Sequence, residues 1–417
     1  MKRPLIIIAS IIVAVGLIFG IYYFFFAGDD ATLTVGNPFD GLGSGNILPG
    51  DDLPTEGIEV NAGEDLAPRF VKITDGPVAA GAVAFGIQVP LSGAAPTVVT
   101  VGSTSTTTLP APTTKPDVEV RFIDRASGNI YAYVAHERTL TRISNRTLPG
   151  IQEASWIADG SRAYARFLSS NTGVERVDTY ALNASGEGGY LLEANLAQAA
   201  VSGTSTLVTL FSGSTGSVAS ISGADGSTSR TLFSSLLSAI VVHPTRGNVF
   251  AHTKASAQLD GYAFDVSRTT GAFTRILGPL RGLTVLPNQS GSSLIYSYAE
   301  GGIFRLRLLD VVGRTSTALP IATLTEKCVW AANGNSVYCA VPTSMQGVLP
   351  DYWYQGAVSF TDRIWKIDVT QRVASLVVDP TEIADVAIDA VALTVDPSED
   401  VLIFTDKHTG ALYAYDL

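Results

Sequence analysis

FIDRASGNIYAY at residues 122–133 and FTDKHTGALYAY at 404–415 are two versions of one phrase. Both read Phe-x-Asp-x-x-(Ser/Thr)-Gly-x-(Ile/Leu)-Tyr-Ala-Tyr. Each has a β-rich run, a polar turn holding Asp and Gly, and a second run rich in aromatics, which is the pattern of a β-hairpin. A supersecondary unit repeated near both ends of the folded part predicts an array of like units between them.

Working inward from the two copies, second-to-third-strand hairpins can be written around 119–135, 162–182, 206–221, 248–266, 293–309, 337–368 and 401–417. That recurrence predicts an all-β fold of about seven four-stranded blades, a β-propeller, since a sandwich has no reason to repeat at such spacing. The last unit runs out of chain after its third strand. Residues 67–75 hold a strand that belongs to no other blade, and it is expected to close the ring as that unit's outer strand.

A second phrase sits between first and second strands: Trp156-Ile157-Ala158-Asp159-Gly160 and Trp330-Ala331-Ala332-Asn333-Gly334, with weaker versions at Val242-His243-Pro244 and Val395-Asp396-Pro397. These resemble the Trp-Ser-Pro-Asp-Gly turn of TolB-like propeller repeats. The Trp-Asp dipeptide of eukaryotic WD repeats is absent, so the resemblance implies architecture alone. The layout as a whole is similar to single-pass, WD-repeat-like envelope proteins of bacteria, a likeness that implies no activity.

Ahead of the ring, Lys2 and Arg3 precede an unbroken apolar run over 5–27, and Asp29 and Asp30 follow it. Such a run gives about 33 Å of helix, enough to cross a ~30 Å hydrocarbon core. The basic flank, residues 1–4, is expected to stay in the cytoplasm, which sends the rest of the chain outward. Tyr22, Tyr23, Phe24, Phe25 and Phe26 occupy the end where a cleaved signal peptide would carry small residues. The expectation is therefore an uncleaved transmembrane signal anchor in the cytoplasmic membrane. Residues 28–66 contain no Lys or Arg, and so acidic a segment, poor in bulky apolar groups, reads as a disordered flexible linker. The ring itself is assigned 67–417.

Two insertions interrupt the ring. Residues 88–117 are rich in Ser, Thr and Pro and read as a solvated loop between the first two strands of the first blade. Residues 342–360 hold Asp351, Tyr352, Trp353 and Tyr354 between the second and third strands of the sixth. Three consecutive aromatics cannot all point into one core, so these four residues are the candidate binding residues. The competing reading packs the loop onto its own blade.

The only cysteines are Cys328 and Cys339. A two-residue turn centred on Asn333-Gly334 sets them directly opposite each other, where opposed Cα atoms about 4.5–5.5 Å apart allow a disulfide. Catalytic signatures are missing: no Gly-x-Ser-x-Gly elbow, no His-Glu-x-x-His, and only His136, His243, His252 and His408 as imidazoles. His243 and His252 can approach across one hairpin. Asp124 and Asp406 recur at turns, where Asp caps its own backbone. No metal and no cofactor are predicted. The net charge of −11 argues against nucleic acid. The expected function is a non-catalytic binding or scaffold module for an envelope protein or glycan. The rival is an envelope glycan hydrolase or lyase with acidic residues in the central tunnel. A sensor is disfavoured, because no cytoplasmic domain is expected to carry a signal.

Overall fold

The computed structural model describes residues 58–60, 63–91, 114–145, 147–171, 174–301 and 303–417. It contains seven antiparallel sheets, five of four strands and two of five. Each runs outward from a first, innermost strand, in chain order except where N-terminal strands complete the first and seventh sheets. Those first strands are Val83–Pro90, Ile151–Trp156, Leu196–Ser202, Ile240–Pro244, Thr284–Pro287, Cys328–Trp330 and Ala390–Val395. Seven such meanders in succession fit a seven-bladed β-propeller. All seven predicted hairpins are present as second and third strands, from Thr114–Ile123 with Ile130–Val134 to Val401–Asp406 with Leu412–Asp416. Among the described residues no helix is long and apolar enough to cross a membrane. The stub at 1–4, the apolar run at 5–27 and the linker up to 57 lie outside the described residues.

Closure follows from pairing. Phe70–Lys72 lies antiparallel on Leu412–Asp416, with Phe70 opposite Tyr415 and Lys72 opposite Tyr413. The fully buried Phe70 ring stacks on Tyr413 at 5.7 Å between centroids. On the inner side, the Thr394 hydroxyl donates to the Ala82 carbonyl at 3.1 Å, joining the seventh first strand to the chain just ahead of the first one. Val71, Ile73, Val401 and Ile403 then share one apolar cluster with Val118, Val120 and Phe122 of the first sheet. Phe70→Ala truncation of so buried a ring should cost about 3–5 kcal/mol.

Local chemistry accounts for the turns. Gly160 and Gly334 both take φ of 70° in the Trp-to-Gly phrases, a left-handed conformation that costs glycine nothing. In the repeated hairpins, one carboxylate oxygen of Asp124 accepts from the Ser127 amide at 2.7 Å, and one of Asp406 from the Thr409 amide at 3.1 Å.

Three boundaries differ from the sequence reading. Glu64–Ala67 forms a fifth strand on the seventh sheet, outside Phe70–Lys72, and Ile58–Val60 forms one on the first sheet, against Thr139–Arg142. The linker predicted to run to 66 therefore gives way to sheet by residue 58. The reason is that an outermost strand offers unpaired amides and carbonyls to any segment, whatever its composition, and Asp65 also finds a cation in Arg138. The insertion assigned 88–117 is shortened as well. Its ends continue the first two strands, paired as far as Pro90 with Thr114, and residues 92–113 lie outside the described residues.

Candidate functional site

Residues 351–354 form a single helical turn inside the second insertion. Successive side chains on a helix point about 100° apart, so the three aromatics part company. Trp353 turns inward and is 5% exposed, while Tyr352 turns out and is 41% exposed. The Trp353 indole donates to Asp389 at 2.9 Å. Tyr354 donates its hydroxyl to Glu326, 2.8 and 2.7 Å from the two oxygens. Asp351 accepts from the Ser256 hydroxyl at 2.9 Å and the Ala257 amide at 2.7 Å, both in the fourth sheet's second turn. Of the four candidate residues, three are spent on internal contacts and Tyr352 alone is free for a partner. The insertion also reaches beyond its own sheet. Leu349, Trp353 and Phe360 pack with Phe304 of the fifth sheet and Leu324 of the connection before the sixth, and the Lys407 ammonium reaches the Trp353 carbonyl from the seventh.

Beneath Trp353 lies a charge cluster that sequence reasoning missed. Lys327 is completely buried; its ammonium sits 2.5 Å from Asp389 and 2.8 Å from Asp362, and donates to the Ala390 carbonyl at 2.9 Å. The Trp353 and Phe360 rings flank it at 5.1 and 5.5 Å. Asp389 also accepts from the Ser359 hydroxyl at 2.9 Å and the Phe360 amide at 3.1 Å. Burial works against the Asp389 charge, yet Lys327 and these donors hold it below the ordinary carboxylate range. Asp362 receives fewer donors, and burial, only partly offset by Lys327, pushes it up to about 6. One of its oxygens has no partner among the described residues. Lys327, Asp362 and Asp389 are each at most 1% exposed. Closed off from solvent, the cluster clasps the insertion to the ring. Charges that open otherwise apolar β-runs, as Asp362 and Asp389 do, are the one signal that could have flagged it.

Ser359, His408 and Asp406 lie close enough to be weighed as an acyl-transfer relay. The Ser359 oxygen is 3.3 Å from His408 Nδ1, and the Asp406 carboxylate is 3.7 Å from that same nitrogen. A relay needs serine and aspartate on different ring nitrogens, and Ser359 already donates to Asp389. The arrangement cannot pass a proton in the required direction.

The remaining candidates are placed as follows. Cys328 and Cys339 face each other in register and form a disulfide, Cα atoms 4.1 Å apart. An eleven-residue separation makes the bond worth about 3 kcal/mol in the chain-entropy account. His243 and His252 stack at 5.3 Å between centroids, and burial drives them down to about 3 and about 4, which keeps both neutral. Among the described residues no cluster of three or more His, Cys, Asp or Glu is set to hold a metal ion.

Among the described residues, two of the open grooves lie along the closure seam and between the turns of adjacent sheets. One, of about 510 Å³, follows the closure seam and is floored by Phe122 and Tyr131; its Lys72 and Asp75 already pair at 2.9 Å. The other, of about 530 Å³, lies where first-to-second-strand turns of the fifth and sixth sheets meet. Arg246, Gln289, Ser290, Ser292, Asn333 and Asn335 line it. Arg246 is exposed and makes no ion pair among the described residues.

No family model matches the chain, and no curated protein matches it. Among solved structures it is similar to a prolyl endopeptidase at 13% identity, over 70% of this chain and 45% of that one, with a TM-score of 0.44. The chain thus spans under half the length of that enzyme. It is similar also to the β-propeller domain of Cps50 (Swd1) from Myceliophteria thermophila, at 11% identity over 72% of this chain and 93% of that one, TM-score 0.45. A third is the β-propeller domain of the Trilobed protease from Pyrococcus furiosus, at 8% identity over 64% and 80%, TM-score 0.46. The fold described above rests on the strand pairings and not on these likenesses.

Proposed function

We propose that the chain is a single-pass protein of the cytoplasmic membrane, held by residues 5–27 with its N-terminus inside, whose extracytoplasmic ring is a non-catalytic binding or scaffold module for an envelope protein or glycan. The observation that supports a binding role is the contrast between clasp and groove. The densest ionisable cluster is shut away beneath Trp353. The open groove offers amides, hydroxyls, the unpaired Arg246 guanidinium and the Asp310 carboxylate, which already accepts from the Val312 and Gly313 amides at 3.0 Å, an array suited to recognising polar ligands. The groove replaces the aromatic turn as the preferred contact, because only Tyr352 of that turn is free.

Crosslinking in intact cells, followed by capture of the full chain, tests the reading. The Arg246→Ala, Gln289→Ala double variant should lose a crosslinked partner while its thermal midpoint stays unchanged. An identical set of partners overturns the groove. Release of reducing ends from isolated envelope glycan by the purified chain would replace binding with the enzymatic alternative.

A further inference from the structure

Four antiparallel strands end a sheet on the face where it began, so the second-to-third turns and the connections between sheets share one face of the ring. On that face the tips of the second to fifth sheets carry Leu168, Phe211, Leu236, Leu237, Leu259 and Ile303. Leu236 is 92% exposed, Leu259 70% and Leu168 64%. At the tip of the third sheet, Phe211 lies opposite Val218, itself 39% exposed, and the Ser217 hydroxyl donates to the Leu237 carbonyl at 2.6 Å. That bond ties the connection bearing both leucines to the tip. Toward the opposite face, among the described residues, the exposed large apolar side chains Leu91, Leu191, Val312 and Val373 stand singly on different sheets. Apolar side chains set on separate tips form an arc and not a pocket, a shape that meets a plane.

The N-terminal segment meets the ring on this face too. Ile58 pairs with Arg142, the last residue of the first sheet's outer strand. The chain preceding residue 58 therefore joins the ring at this same face, beside the sheets that carry the arc.

We propose that this face docks on a bilayer surface, with the leucine and phenylalanine tips entering the interfacial layer and the Arg246 groove turned away toward the envelope. This rests on the anchor reading above, which would hold the ring near lipid at high effective concentration. Interfacial binding then scales with apolar area entering the layer. The net charge of −11 points to zwitterionic rather than anionic lipid.

The test uses the full chain reconstituted in phosphatidylcholine vesicles that carry a nitroxide quencher at headgroup level. Single Leu236→Cys and Leu259→Cys variants report from the arc, and Val312→Cys from the opposite face. The native cysteines are bonded to each other and do not take the fluorophore. Quenching severalfold stronger at 236 and 259 than at 312 is expected. Equally weak quenching at all three, in chain that floats with the vesicles after alkaline washing, overturns docking and leaves the anchor standing. Chain that fails to float overturns the anchor reading itself. A 236 emission that changes with protein dilution in quencher-free vesicles means a second copy covers the arc, which also overturns the proposal.

Discussion

At 122–133 and 404–415 the chain folds one hairpin twice. Phe122 stacks on Tyr131 at 5.7 Å and Phe404 on Tyr413 at 5.9 Å. Gly128 and Gly410 share a φ of 73°. The closing segment threads between the two turns: the Val78 amide donates to the Gly410 carbonyl at 2.9 Å, and the Arg125 amide to the Pro77 carbonyl at 3.1 Å. Beyond the turn the copies diverge. Asp124 is half-buried and borders the seam groove. Asp406 is 3% exposed and accepts from the Asp389 amide at 3.1 Å as well as from its own turn. One local code thus makes a turn bordering an open groove in the first sheet and a support for the Lys327 clasp in the seventh. The lesson is that a motif sets its own backbone, while its duty is set by what is packed against it.

The sharpest way to break that comparison is to remove the clasp. Lys327→Ala strands two buried carboxylates and should lower unfolding free energy by about 3–5 kcal/mol. Arg125→Ala beside the first copy should cost no more than about 1 kcal/mol. Denaturant midpoints of the full chain would measure both, and equal losses would erase the distinction. Next in size, Asp406→Ala leaves buried amides without an acceptor and should cost about 2–3 kcal/mol, against about 1 kcal/mol for Asp124→Ala. A reversed order would mean that burial does not separate the copies. Gly128→Ala and Gly410→Ala should cost alike, at least about 1–2 kcal/mol each for the left-handed backbone. A marked difference between them would show that the turns are not equivalent.

A gentler probe is pH. Asp362 stands at about 6 in the folded chain against a model-peptide value near 3.8. Between those values the folded state holds a proton that the unfolded state releases. Its contribution is fully present below the lower value and is lost as pH rises through about 6. Asp362→Asn should flatten that part of the stability profile, and an unaltered slope would place the proton elsewhere. The smallest effect is expected for His408→Ala, within about 0.5 kcal/mol, because the ring is exposed.

Much of the fold was legible because it is written locally. Hairpins, Asp-Gly and Asn-Gly turns and the Cys328–Cys339 register depend on residues a few positions apart, and all are present as read. The closing strand was legible by subtraction, since one unit lacked a strand and one strand lacked a unit. The site was far less legible. Three consecutive aromatics, Tyr352, Trp353 and Tyr354, cannot all point into one core, but nothing local says that Trp353 is the residue turned inward. Lys327 gave no sign of its role, because Asp389 lies 62 positions away in another sheet.

By itself, then, the amino-acid order determined strand, turn, repeat and cross-link, because each is decided by φ, side-chain alternation and pairing within a short reach of chain. The tertiary structure alone decided which charges are buried together, how far the N-terminal segment pairs, and which face carries the apolar tips. Those properties arise where separate sheets meet, and sheets that meet in a ring are brought together by closure, not by proximity along the chain.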